Sequence, residues 1–263
     1  MAKARRSAHR SSKGTKLYAV ALKRFSLIGL AAVLSLVTTA ATAAPIIFFG
    51  EDPGLGDGTV LASTPNADAA HASFLTGLIH PGVETFESIA ASPEGPYALN
   101  FANGITANLS LGTVEVLPDG TANLIGAYGI TGDPDRDEHH VETAGGPFMV
   151  LTFSQPVSAF GFFGIDIGDD GGQLSVTTGG GLNQLFNVGH TVGGTGGGVF
   201  FWGIIDPLQT FTSIEFGNTD LLEIYAFDDF TVEALVQVLE PATLGLFGVG
   251  LAVAVGRRSF RKR

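Results

Sequence analysis

The chain has no cysteine and almost no basic residue outside its two ends. The lack of cysteine excludes disulfides, thiolate nucleophiles and cysteine-ligated zinc. Of the 14 Lys and Arg residues, eight precede residue 25 and five follow residue 256, whereas 24 of the 25 Asp and Glu residues lie within residues 45–239 beside a single base, Arg136. Because phosphate contacts need clustered Lys and Arg, we do not expect this segment to bind nucleic acid.

The chain also lacks an apolar run of about 20 residues, the length that a permanent membrane-spanning helix needs. Its first apolar stretch, Phe25–Val37, has 13 residues and follows a polar, cationic segment. This order is typical of a secretory signal peptide. Small residues lead up to Ala43 and Ala44, so we predict a signal peptide over residues 1–44 that signal peptidase cleaves after one of these two alanines. An uncleaved membrane anchor is the alternative.

A second apolar run, Leu244–Val255, lies near the other end of the chain and has 12 residues. Glu240, Pro241, Ala242 and Thr243 precede it, and five basic residues follow. The basic tail predicts that this end of the segment stays in the cytoplasm. Because the run is short and is followed at once by arginines, we interpret it as the hydrophobic helix of a processed sorting signal rather than as a permanent anchor.

Residues 238–263 resemble the PEP-CTERM sorting signal of Gram-negative bacteria, which an exosortase recognises in the inner membrane. The resemblance rests on the residues from Glu240 to Thr243, the apolar run and the basic end, although the family pattern has Pro where this chain has Leu239. It implies export, transient residence in the inner membrane, processing near the motif and delivery to the cell surface or the extracellular matrix. It implies a destination and no activity.

Between the signal peptide and the sorting signal, which we assign to residues 239–263, lies a predicted exported domain, residues 45–238. It holds 31 of the 37 glycines, roughly twice their usual share of about 7%, together with many Phe, Thr and Val residues. Short apolar or alternating stretches between glycine-rich turns predict strands. They lie at 46–49, 105–111, 148–153, 157–167, 173–178, 199–205, 211–217 and 222–235. We therefore expect an all-β fold, an antiparallel β-sandwich of the jelly-roll type, with long loops at 131–147 and 189–198.

One short amphipathic helix is predicted near the start of this domain, over residues 67–80. Asn66 is a suitable N-cap, and Pro81 with Gly82 would end the helix. Apolar residues at helical spacing form one face. They are Ala70, Phe74, Leu75, Leu78 and Ile79.

A carboxylate in the last predicted strand is the strongest local indication of a binding site. Alternation along residues 222–234 places Asp228 on one face with apolar residues, including Ala226 and Phe230. A buried carboxylate must be neutralised, paired or bound to a metal. Since Arg136 is the only base of the predicted mature chain, calcium is the expected partner. The alternative is that Asp228 lies at a strand bend, solvated or hydrogen-bonded to backbone amides.

Two further acidic clusters are candidate calcium sites. Asp133, Asp135 and Asp137 alternate as in the opening of a calcium loop, although Glu138 stands where such a loop has glycine. A transition metal bound by the following histidines and a solvated acidic loop are the alternatives. Asp166 begins the second cluster with Asp169 and Asp170, for which ordinary turn chemistry is the alternative.

Catalytic signatures are lacking, so we predict that the protein is not an enzyme. The sequence has neither a Gly-x-Ser-x-Gly elbow nor the glycine fingerprint of a dinucleotide site. Trp202 and Tyr225 would stack on sugar rings if they were exposed, although the apolar neighbours of Trp202 favour a core position.

The sequence therefore predicts an exported, exosortase-sorted protein of the cell surface or extracellular matrix, with a structural or adhesive role and stabilised by calcium. Its predicted partners are signal peptidase, the exosortase and extracellular polysaccharide, which divalent ions would bridge to the acidic domain. A non-catalytic carbohydrate-binding module is the first alternative. A secreted glycan hydrolase is the second, since so many acids make a close carboxylate pair easy to find.

Overall fold

The computed structural model describes residues 44–234, except Pro93, Asp119, 131–137, 145–147, Asp170 and 192–195. The described residues form one helix, α1 (Pro65–Thr76), and twelve strands. The strands are β1 (Ile46–Asp52), β2 (Gly82–Glu84), β3 (Tyr97–Asn100), β4 (Thr106–Leu109), β5 (Thr113–Leu117), β6 (Glu138–Ala144), β7 (Met149–Ile165), β8 (Leu174–Gly179), β9 (Gln184–Asn187), β10 (Val199–Ile205), β11 (Phe211–Asn218) and β12 (Ile224–Ala234). All strand pairs are antiparallel, and the predicted all-β class is confirmed.

The strand β7 joins two layers of one continuous sheet. Its first part, up to Phe153, pairs with β4 and β11, whereas its second part, from Val157, pairs with β10 and β12. One layer therefore has the order β3-β4-β7-β11-β8-β9, and the other has β1-β10-β7-β12, with β2 and β6 beyond β12. Pro156, which has no N–H to donate, lies at the register shift between the two parts. Two strands were predicted where the chain forms one.

Side chains from both layers form the central core. Phenylalanine rings dominate it, and the ring of Phe162 lies 5.3 Å from Phe216 and 5.2 Å from Phe227, both in edge-to-face geometry. Such pairs add about 0.5–1.5 kcal/mol each to the stabilisation from apolar burial.

The helix α1 covers the opposite face of the β10 and β7 layer. Its buried residues Ala67, Ala70 and Phe74 pack on Phe163 and Phe201, forming a helix-side core. The neighbouring strands β7 and β10 are therefore buried on both faces, which explains their nearly continuous apolar sequences.

Two paired glycines make room for the helix. Gly161 of β7 lies opposite Gly203 of β10, and the ring of Phe74 lies on both. A Cβ atom on Gly203 would lie 2.9 Å from Cδ2 of Phe74, and one on Gly161 would lie 2.7 Å from Cζ of Phe201. A side chain at either position would therefore force the helix or its neighbours to move.

The helix begins and ends earlier than predicted, and its cap comes from a strand. The carboxylate of Asp52, at the end of β1, accepts hydrogen bonds from the backbone N–H groups of Asn66 at 3.0 Å and Ala67 at 2.9 Å. The predicted cap Asn66 instead lies inside the helix and donates its side-chain amide to Asp52 at 2.8 Å. The helix ends at Thr76, and Ile79 of the predicted apolar face is exposed.

Part of the predicted loop 131–147 is a strand. Residues 138–144 form β6, which pairs with β5 on one side and β12 on the other. Charged and imidazole side chains give this segment a weak strand propensity, but pairing on both edges outweighs it. The short strands β2, β3 and β9 were also missed.

No helix within residues 44–234, as far as the structure describes them, has the length and apolar character needed to cross a membrane. The predicted signal peptide up to Ala43 and the predicted sorting helix after residue 240 lie outside the described residues. Ala44, the other predicted cleavage position, is exposed.

We expect Gly203→Ala to lower the free energy of unfolding by about 1–3 kcal/mol, as overpacking of a tight site does. The added methyl group meets the ring of Phe74, so the loss should shrink in a Phe74→Leu background. Gly189→Ala is the matched control, because a Cβ atom there has no neighbour within 4 Å. Urea unfolding measures all four variants, and equal losses at Gly203 and Gly189 would contradict the packing argument.

Candidate metal centre

Three aspartates from separate parts of the chain converge at one end of the sheet. Asp57 lies in a turn after β1, Asp166 directly follows β7, and Asp169 lies in the next turn. One carboxylate oxygen from each lies within 4.8 Å of the other two. We call these residues the three-aspartate cluster.

Asp166 is the buried member and is held by backbone groups. Its exposed fraction is 2%, and its backbone has a positive φ of 61°. Its N–H donates to the carbonyl of Gly198 at 2.8 Å, and its Oδ1 accepts from the N–H of Gly197 at 2.5 Å. The loop before β10 thereby fixes the position of this carboxylate.

Glycines form a close-fitting cradle around the cluster. A Cβ atom on Gly196 would lie 1.8 Å from Oδ1 of Asp57, and one on Gly126 would lie 2.5 Å from Oδ1 of Asp166. Gly126 also has a positive φ of 94°. The two carboxylates approach the backbone this closely because these positions carry no side chain.

Burial and repulsion among the carboxylates dominate the electrostatics of Asp166. Burial raises the pKa of Asp166 to about 8; the hydrogen bond from Gly197 opposes this, while repulsion from Asp169 and Asp57 adds to it. The described residues contain no lysine or arginine, because Arg136 lies in one of the gaps. Burial also raises the pKa of the nearby Glu223, although the N–H of Gly168 donates to its carboxylate.

The donor set suits a hard divalent cation. Calcium binds six to eight oxygen ligands at about 2.3–2.6 Å, so ligands on opposite sides of the ion lie about 4.6–5.2 Å apart. The separations within the cluster fall inside that limit. A cavity of about 200 Å³ adjoins the cluster and is also lined by the apolar side chains of Leu124, Ile125, Leu222 and Ile224.

Sequence reasoning named Asp166 but missed Asp57. The available signal was the Gly56-Asp57-Gly58 turn, which frees a carboxylate to approach other loops, but nothing in the sequence places this turn beside Asp166. The other predicted cluster, Asp133, Asp135 and Asp137, lies outside the described residues, so calcium binding there stays a prediction.

Asp228 is buried, but backbone amides satisfy its carboxylate. The N–H of Ile130 donates to Oδ2 at 2.8 Å, and the N–H of Asp229 donates to Oδ1 at 2.7 Å. Burial, followed by repulsion from Asp229, raises the pKa of Asp228. Among the described residues Asp228 belongs to neither group of three possible metal ligands. These contacts fit the alternative of a carboxylate bonded to backbone amides, and calcium binding at Asp228 stays a prediction.

The predicted single face of the last strand is wrong because β12 contains a bulge. Its register shifts between Asp228 and Thr231, and Asp229 has a positive φ of 50°. Ala226, before the bulge, lies in the helix-side core, whereas Phe230, after it, lies in the central core. The extra residue exchanges the two faces.

A second group of possible metal ligands lies on β5 and β6. Nε2 of the buried His140 lies 3.4 Å from Oε1 of Glu142 and 3.5 Å from Oε2 of Glu115. The amide of Asn123 donates to both of these carboxylate oxygens, while its Oδ1 accepts from two backbone N–H groups, which fixes its orientation. Because an amide N–H already points between the carboxylates, this group is the weaker metal site.

Burial and hydrogen bonding together determine the pKa values of the two glutamates in this second group. Burial, followed by a hydrogen bond with Glu142, raises the pKa of Glu115. Burial opposes ionisation of Glu142 as well, but hydrogen bonds from His140 and Glu115 lower its pKa. The ring nitrogen Nδ1 of His140 has no partner among the described residues. The imidazole ring contacts both glutamates through Nε2, and these contacts connect β5 with β6.

The aromatic residues considered for sugar stacking lie in the core, which corrects that expectation. Trp202 is 2% exposed and packs against Phe162, and Tyr225 is 3% exposed and packs against Phe227. Neither ring presents a face to solvent.

A family model described as the PEP-CTERM protein-sorting motif matches residues 240–262. The chain is a PEP-CTERM exosortase substrate. The match begins after Leu239, so the departure noted at that position lies outside it. A search of curated proteins finds no match. The motif implies an exported protein that is membrane-anchored before exosortase processing.

In this exosortase substrate, we expect Asp166 to make stability fall as pH rises when metal is chelated. The folded state keeps its carboxyl protonated up to a pKa of about 8, whereas the unfolded chain releases that proton near its ordinary value of 3.8. The folded state therefore binds more protons between these values, and its free energy of unfolding decreases with pH across that window.

Asp166→Asn mimics the neutral acid, so it should remove part of this decrease. Urea unfolding across pH 5 to pH 8 tests this, with the exposed Asp68→Asn as the control. If the pH dependence of Asp166→Asn matches that of the unaltered protein, Asp166 is not the group responsible.

Proposed function

We propose that this PEP-CTERM protein is a non-catalytic structural or adhesive component of the cell surface or extracellular matrix, whose exported domain Ca²⁺ stabilises at the three-aspartate cluster. The observation that carries the calcium proposal is the convergence of three carboxylates in a glycine cradle, in a described chain that contains no lysine or arginine. Outside the cell, modules of this kind bind Ca²⁺ with dissociation constants of about 10⁻⁴–10⁻³ M.

In the described residues, a small number of hydrogen bonds hold the loops around this cluster together. A bound ion would add a further link between these loops. The N–H of Gly56 donates to the carbonyl of Gly196 at 3.0 Å, and the hydroxyl of Tyr128 donates to the carbonyl of Gly197 at 2.9 Å. These contacts bring the loops after β1, before β10 and around residue 126 together. A shared cation would remove the repulsion among the three aspartates that these contacts must otherwise withstand.

The structural role is supported by the charge of the exported domain. Its 24 acids and one base would repel anionic polysaccharide unless divalent ions lay between them. Calcium would therefore both stabilise the domain and bridge it to such a polymer. The carbohydrate-binding alternative gains no support from Trp202 and Tyr225, because both side chains are buried.

We expect millimolar Ca²⁺ to raise the thermal unfolding midpoint of the protein by several degrees relative to chelator, with a smaller effect from Mg²⁺. A Ca²⁺ concentration about 10 times the dissociation constant adds about 1.4 kcal/mol, which shifts the midpoint of a domain of this size by about 3–6 °C. Asp57→Asn should abolish the rise, because the cluster loses one ligand at an exposed position where folding does not depend on it.

Glu94→Gln, which alters an exposed acid outside the cluster, is the matched control and should respond to Ca²⁺ as the unaltered protein does. An undiminished response in Asp57→Asn would place calcium elsewhere. No response in any variant would leave the domain without the proposed ion.

Replacing Glu240 and Pro241 together with alanine should leave an unprocessed protein in the inner membrane, because the exosortase reads this motif. Gln237→Ala, just before the motif, is the control and should be processed normally. Membrane fractionation and gel mobility in cells that contain the exosortase give the readout. Normal release of the double variant would show that these two residues do not direct sorting.

A further inference from the structure

Both ends of the described chain lie at the same end of one sheet layer. The residues Ile46, Ile205, Ala159 and Glu233 are neighbours across β1, β10, β7 and β12. Adjacent strands lie about 4.7–4.9 Å apart, so three steps separate Ile46 from Glu233 by about 14–15 Å. Since β1 begins at Ile46 and β12 ends at Ala234, the chain enters and leaves the domain side by side.

The sorting motif begins a short distance along the chain from this sheet end. The match starts at Glu240, six residues after Ala234. Six residues span at most about 20–22 Å, even when fully extended. Because the protein is membrane-anchored before processing, this end of the domain is tethered within that distance of the motif.

Three of the side chains exposed at this end are apolar, and the neighbouring polar residues His80 and Gln209 are exposed as well. Ile46 is 51% exposed and Ile79 is 61% exposed; the N–H of Ile79 donates to Glu233 at 2.8 Å, which places it beside β12. Leu208 is 39% exposed and lies three residues after Ile205, the end of β10. These three residues are candidates for contact with a lipid surface.

Among the described residues, the two acids at this end are buried, although Oδ2 of Asp206 has no hydrogen-bond partner there. Asp206 accepts hydrogen bonds from the N–H groups of Leu208 at 2.8 Å and Gln209 at 2.9 Å, and Glu233 accepts from those of Ile79 and His80. Neither carboxylate therefore faces solvent, where it would be repelled by anionic lipid.

The three-aspartate cluster lies at the opposite end of the same strands. Asp52, Val199, Ile165 and Ala226 are neighbours there, and Asp166 follows Ile165 directly. The six residue steps of β1 from Ile46 to Asp52 separate the two ends by about 20 Å.

We propose that the Ile46 end of the domain is a membrane-docking surface before processing, resting Ile46, Ile79 and Leu208 on the lipid headgroups. The three-aspartate cluster then faces away from the bilayer. This inference goes beyond the surface role proposed above and does not depend on calcium binding.

The absence of cysteine allows a direct test with single-cysteine variants of the full chain. Ile79→Cys places a fluorophore at the docking surface, and Leu222→Cys, at an 85% exposed position beside the three-aspartate cluster, is the matched control. The chain is reconstituted into vesicles of zwitterionic and anionic phospholipid that carry a headgroup quencher. We expect severalfold stronger quenching at residue 79 than at residue 222.

Equal quenching at the two positions would mean a freely rotating tether and would overturn the proposal, as would stronger quenching at residue 222. Ile79→Asp, read with a fluorophore at Leu208→Cys, separates apolar docking from tethering alone. Quenching at residue 208 should fall severalfold when the charge is introduced, and unchanged quenching would also overturn the proposal. Circular dichroism of each variant confirms that its fold is retained.

Discussion

The described part of the domain must bury carboxylates without lysine or arginine to neutralise them, and its loops are arranged around that constraint. Buried acids instead accept hydrogen bonds from backbone N–H groups, often of distant segments. This holds for Asp52, Glu84, Asp206, Glu223, Asp228 and Glu233. Asp52 thereby caps the start of α1 from β1, and Glu233 holds the segment after the helix from β12. The acids act as crosslinks between helix and sheet.

In two places the carboxylates lie so close together that backbone N–H groups do not separate them. The two places differ in the groups that lie between the acids. Between Glu115 and Glu142 an asparagine amide and a histidine donate, so hydrogen bonds fill the space between the acids. In the three-aspartate cluster, Gly197 donates to Asp166, but repulsion from Asp169 and Asp57 still raises the pKa of that carboxyl. This contrast within one domain is why we propose the three-aspartate cluster, and not the group on β5 and β6, as the cation site.

The fold was predictable where local pattern and burial agree. The continuous apolar run of β10 was predicted at its observed bounds, because burial on both faces leaves a sequence signal that needs no partner. The cap of α1, the strand β6 and the position of Asp57 all depend on pairings distant in sequence, which composition and spacing do not encode. The bulge at Asp229 is a related case, since one extra residue moves Phe230 to the face opposite Ala226, with which it was predicted to lie.

The sheet separates the end of the domain that is linked to the sorting signal from the end that holds the proposed ion site. Both chain exits lie at one end of the β1, β10, β7 and β12 layer, and the three-aspartate cluster lies at the other, joined by strands that run the whole length. Removal of the sorting signal therefore acts at the end remote from the cluster. An ion bound there would stabilise the anchored and the released forms alike, since its ligands and their supporting loops all precede the last strand.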